Sequence, residues 1–186
     1  TLRPNEGIFN NESLRRIEKI ENEILEIDGV NQVLSILDAP IVEQPKVSLS
    51  EIGDNIKYLL DESIDLQKAK QEILSNPIYQ ELIVSKDGST TAFQILLDKN
   101  ESYESLIQQR YDLLNSDQPS ILLEVNRKIN EQNSLIQEKE KRIVAEIRSV
   151  INSNRDFGVL FLGGPAMIAN DMIDFIKSDL SIFSLL

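Results

Sequence analysis

Residues 158 to 186, GVLFLGGPAMIANDMIDFIKSDLSIFSLL, constrain the fold of this chain more than any other stretch. Gly158 to Leu162 is a short apolar run of the kind that forms a buried strand, and Gly163-Gly164-Pro165 turns the chain. Ile168, Met172, Ile173, Ile176 and Leu180 then recur at helical spacing, with Asp171 and Asp174 on the other side. A strand therefore feeds an amphipathic helix, expected over 165–186. Its last residues, Ile182, Phe183, Leu185 and Leu186, grow apolar enough that the helix is expected to lead into a membrane span beyond them.

Composition narrows the chemistry. The sequence has 186 residues, 41% of them hydrophobic, enough for one core, and a single domain over 1–186 is expected. A formal charge of -12 disfavours nucleic acid and anionic lipid headgroups as partners. Cysteine and histidine are both absent, which removes the thiolate nucleophile, the commonest neutral-pH base and the commonest transition-metal ligand. The chain is not expected to be an enzyme, and no catalytic, cofactor-binding or metal-ligating residue is assigned. Asp171 with Asp174 reads as a solvated helix face, and Asp98, Asn100 and Glu101 lack the twelve-residue calcium-loop pattern. The glycines at 163 and 164 are not a phosphate loop, because no Gly-Lys-Ser/Thr follows them.

Along the chain, Leu2 and Arg3 end a strand before Pro4, and Asn10 or Asn11 caps a helix carrying Leu14, Ile17, Ile20, Ile24 and Ile27. After Gly29, Val30 to Leu37 reads as a strand ending at Ala39-Pro40. A loop over 40–50 precedes weaker helical patterns at Ile52, Ile56, Leu59 and Leu60, then at Ile64, Leu66, Ala69 and Ile73. Leu82 to Ser85 and Thr91 to Leu97 flank Asp87-Gly88, the signature of a β-hairpin. Two helices follow, broken near Asn115 to Pro119. In the second, Leu122, Ile129, Ile136, Ile143 and Val150 repeat every seven residues beside polar Gln132, Lys139 and Glu146, a narrow seam suited to a long helical arm over 119–153. Together these elements predict an α+β fold, a ferredoxin-like split βαβ sandwich with helical insertions.

Four stretches, GVNQVLSILDAPI from Gly29, SNPIYQELIVSKDGSTTAFQILL from Ser75, RIVAEIRSVI from Arg142 and FLGGPAMIANDMIDFIKSDLSIF from Phe161, carry a family likeness. In them the chain resembles the extracytoplasmic loop between the first two membrane spans of an exporter of the resistance-nodulation-cell division (RND) superfamily, MMPL-like branch. Two departures stand out: Pro119 to Lys141 matches nothing in that family, and Leu162 stands where a threonine is expected.

The resemblance implies a porter domain on the periplasmic side of a bacterial inner membrane, working with a second porter-type domain and the spans of the same parent chain. Ion flux through those spans would drive export or efflux of a lipid-like, hydrophobic or amphiphilic substrate, and this domain would relay conformational change. Gly163, Gly164 and Pro165 are then the candidate hinge, while substrate-binding residues are not assigned. The alternative is a surface interaction module whose arm binds an accessory protein or a second copy of the chain.

Overall fold

The computed structural model describes residues 1–42, 56–80, 82–114, 116 and 118–183, with side chains through 176. The chain is mixed α and β. It divides into two compact units, one comprising 1–96 and 146–163, the other 97–145 and 164–186.

The first unit is organised around helix α1 (Asn11–Leu25). Asn10 is its N-cap, with Oδ1 accepting from Ser13 N at 2.8 Å. Leu14, Ile17, Ile20 and Ile24, spaced three and four apart, form one buried face. Other elements contribute Leu2, Ile8, Val33, Ile36, Ile73, Val84, Ile147 and Leu160 to the unit's core. Arg16, on the flank of α1, ties the helix to the segment ahead of the last strand. Its Nη2 donates to both Asp156 carboxylate oxygens, at 3.1 and 2.9 Å, and its guanidinium lies 4.9 Å from the Phe157 ring centre.

Strand β1 (Leu2–Pro4) pairs antiparallel with β4 (Gly158–Leu160), Leu2 opposite Leu160 and Pro4 opposite Gly158. Strand β2 (Val30–Leu34) pairs with β3 (Gln94–Leu97) in a second two-stranded antiparallel sheet. An isolated bridge joins Leu2 to Thr91, whose main chains exchange two hydrogen bonds of 2.8 Å, so the extended run leading into β3 also flanks β1.

Three local expectations are corrected. Strand β2 stops at Leu34 instead of reaching Leu37, because Ser35 opens a 3-10 turn over Ile36–Asp38. Ser35 Oγ accepts from Leu37 N at 3.1 Å while Asp38 Oδ2 accepts from Ser35 N at 2.7 Å, a reciprocal cap that outcompetes extended geometry. The hairpin expected over Leu82 to Leu97 shrinks to a turn closed by the Val84–Thr91 bridge. Its first limb folds back because Ile83 N and Val84 N both donate to Tyr79 O at 3.1 Å, and its second limb gives Thr91 to Leu2. Finally, Ile56 to Leu60 is not helical: Lys57 bridges Ile41, and Asp61 Oδ2 accepts from Tyr58 N at 2.6 Å to close a turn. Pro45, Ser48 and Ile52 lie outside the described residues. Helix α2 (Leu66–Ser75) follows, capped by Asp65 Oδ1.

The second unit contains α3 (Glu101–Leu113), most of α4 (Pro119–Ser153) and α5 (Pro165–Phe183). Residues 146–153 of α4 belong to the first unit. Asn100 caps α3, accepting from Tyr103 N at 2.9 Å, and Pro119 begins α4, where a missing N–H costs nothing. Val125, outside the expected seam, is buried; of the seam itself, Ile129 and Ile143 are buried, while Leu122, Ile136 and Val150 are half-buried. Its polar companions are engaged within the unit: Gln132 Oε1 accepts from Asn100 Nδ2 at 3.4 Å, and Lys139 Nζ meets Asp98 Oδ2 at 3.1 Å.

Candidate functional site

In an extended pair, alternate side chains take opposite faces. Leu2, Leu160 and Thr91 are buried, which places their neighbours Thr1, Phe161, Thr90 and Ala92 toward the other face of the same ribbon. Thr1 and Phe161 exchange main-chain hydrogen bonds of 2.7 and 2.9 Å, so their side chains are cross-strand neighbours. On this side lies a groove of about 520 Å³, lined by Thr1, Leu82 to Asp87 and Thr90 to Ala92. Its volume is within the range of small-molecule sites. Leu82, on the wall, is 71% exposed, and Phe161, beside Thr1, is 67% exposed, a concentration of apolar surface rimmed by polar groups.

The Asp87-Gly88 turn builds the polar end. Gly88 takes a φ of 68°, and its N donates to Ser85 O at 2.8 Å. Asp87 Oδ1 accepts from Ser85 Oγ at 2.5 Å, from Ser89 N at 3.0 Å and from Ser89 Oγ at 2.9 Å. The Ser85 hydroxyl, then the Ser89 amide and hydroxyl, hold the Asp87 carboxyl down to about 2. Ser85 Oγ also accepts from Thr90 N at 3.0 Å, and Thr91 Oγ1 donates to Ile83 O at 3.0 Å, so these two hydroxyls are spent inside the loop.

A second polar cluster joins α1 to the 3-10 turn. The fully buried Ser35 hydroxyl donates to Glu21 Oε2 at 2.6 Å. Burial raises the Glu21 carboxyl above its ordinary value, the Ser35 hydrogen bond opposes that, and the negative charges of Asp38 and Glu18 reinforce it. This arrangement is explained by capping and packing.

The candidate hinge residues stand at a boundary, since the chain passes from the first unit to the second between Gly163 and Gly164. Gly164 adopts a φ of 127°, closed to side chains at low energy, and Pro165 is the first residue of α5. Asp174 pairs with Lys141 at 2.7 Å, and Asn170 is buried with its Nδ2 donating to Ala166 O at 2.9 Å. The opposite stripe of α5, Ile168, Met172, Phe175 and Ile176, is 50 to 66% exposed. Among its described side chains, α5 thus buries the polar Asn170 and leaves this apolar stripe, with Asp174, in solvent. No known protein family, curated protein or solved structure matches this chain.

No group of three or more acidic residues suited to a metal occurs among the described residues. Nor, among them, is any helix long and apolar enough to cross a membrane. The groove is a site the sequence does not announce. Asp87-Gly88 marks the turn, but the wall is completed by Thr1, far away along the chain and held by its pairing with Phe161.

Proposed function

We propose that this chain is the extracytoplasmic, porter-type subdomain of an ion-driven RND-superfamily exporter of the MMPL-like branch, on the periplasmic side of a bacterial inner membrane. It is non-catalytic and relays conformational change for a hydrophobic or amphiphilic substrate. The exposed apolar stripe of α5 carries this reading. Burying a side chain of this size is worth about 1.5–3 kcal/mol, so four such residues facing outward call for an apolar neighbour, which a membrane-embedded part of the parent chain would supply.

Strand order gives further support. Counting the Leu2–Thr91 bridge, the extended segments run β4, β1, β3, β2, the order of a split βαβ plan, with α1 connecting β1 to β2 and the later helices connecting β3 to β4. Gly163 to Pro165, at the boundary between units, is then the hinge.

Fractionation of the parent protein tests the assignment. It should partition with the inner membrane, and a cysteine at position 175 should be shielded from a membrane-impermeant maleimide that labels position 104. Recovery of the parent in the cytosol, or equal labelling at both positions, would reject it. The rival interaction module rests on one observation, the exposure of Tyr111, Leu114, Ile121 and Leu123 where α3 turns into α4. Replacing these four with serine should leave export unchanged under the porter reading and abolish association with an accessory protein under the rival.

A further inference from the structure

The geometry points to the groove beside Asp87 as a binding site for an amphipathic cation, with the hydrocarbon tail along the Leu82–Ala92 wall and the ammonium head at the Asp87 carboxylate. It adds a ligand class to the transport reading, yet it stands on the groove alone.

The wall presents apolar surface from Leu82, Ile83 and Ala92, and the hydroxyls of Ser85 and Thr91 are committed within the loop. A ligand therefore gains little by offering neutral hydrogen-bonding groups to these hydroxyls, and binding must come from apolar contact plus charge. Asp87 is the charge available. The groups that stabilise its ionised form are neutral, namely two serine hydroxyls and main-chain N–H groups, and no basic side chain contributes. Lys86, next along the wall, has a partner of its own. Thr1 N is directed to Phe161 O at 2.7 Å. An ionised carboxylate at the mouth of an apolar groove selects a cation with a tail. The charge of -12 on the chain draws such ligands in and repels anionic amphiphiles of the same length.

The test is calorimetric titration of the 186-residue chain with dodecyltrimethylammonium below its micelle concentration, against dodecyl sulfate and tetramethylammonium. One saturable site is expected for the first probe and none for the other two. Asp87→Asn should weaken binding about fivefold, the worth of one solvent-exposed charge contact. Leu82→Ser, at a position exposed enough to leave folding intact, should weaken it as well. Glu104→Gln, an exposed acid on α3 and not one of the residues lining the groove, should change nothing. The site is refuted if Asp87→Asn binds as tightly as the parent sequence, if Glu104→Gln loses as much, or if no saturable binding occurs. Circular dichroism melts of each variant separate a lost site from a lost fold. Such a failure would leave the membrane assignment standing, because that turns on fractionation of the parent protein.

Discussion

Adding one methyl group at Gly158 should pry β1 away from β4. A β-carbon there would run into the carbonyl oxygen of Arg3, and it would lie 2.8 Å from Pro4 Cα and 2.9 Å from Arg3 C. Carbon atoms settle at about 3.5–4.0 Å, so the strands must separate by roughly 0.7 Å or more. All three obstructing atoms are main chain, which leaves no flexible side chain to yield. The neighbouring bond from Asn5 N to Phe157 O, 3.0 Å long, would stretch past its useful range. One or two lost hydrogen bonds at about 0.5–1.5 kcal/mol each, added to overpacking of about 1–3 kcal/mol, give about 2–5 kcal/mol for Gly158→Ala. For a chain of this size that lowers the melting temperature by about 5–15 °C. Differential scanning calorimetry measures it directly, with Gly163→Ala as control, since a β-carbon at that position meets nothing within 4 Å. A Gly158→Ala protein melting within a degree of the parent would refute the close approach of the two strands, and with it the frame of the groove.

Other outcomes follow from the charges and from α5. Asp87 titrates at about 2 when folded, against an ordinary 3.8, so its contribution to stability is complete above 3.8 and disappears as pH falls through 2; Asp87→Asn should flatten that part of a urea-midpoint profile. Glu21 has the opposite sign: its folded pKa lies above the ordinary 4.5, so stability should decline as pH rises through that folded value, and Glu21→Gln should abolish the decline while keeping a partner for Ser35. Phe175→Ser should change unfolding free energy by no more than about 0.5 kcal/mol, because the ring is already in solvent; a loss of several kcal/mol would show that α5 packs on its apolar side.

Elements whose stability is local were legible in the sequence. Helices α1, α3 and α4 follow from apolar residues at three- and four-residue spacing, with Asn10, Asn100 and Pro119 at their starts. The end of β2 was marked as well, since Ser35 and Asp38 have the spacing of a capping box, but the apolar run Ile36-Leu37 obscures it. Thr91 shows where local reasoning fails. The hairpin pattern around Asp87-Gly88 names Thr91 as a partner for the preceding limb, as its bridge to Val84 bears out, but nothing nearby discloses that Leu2 takes its main-chain N–H and C=O on the other edge. The orientation of α5 was hidden for another reason. Periodicity shows which residues share a face but not which face turns inward, and the burial of Asn170 against the exposure of Ile168, Met172, Phe175 and Ile176 decides that.

The bonds between Thr1 and Phe161 close a loop across 160 residues, which sets a timetable for the nascent chain. A ribosome adding about 5–20 residues per second needs about 8–30 s to travel from β1 to the strand that pairs with it. Throughout that interval β1 is without its β4 edge, and the extended run at Thr91, made about seventy residues earlier, is the first partner that Leu2 meets.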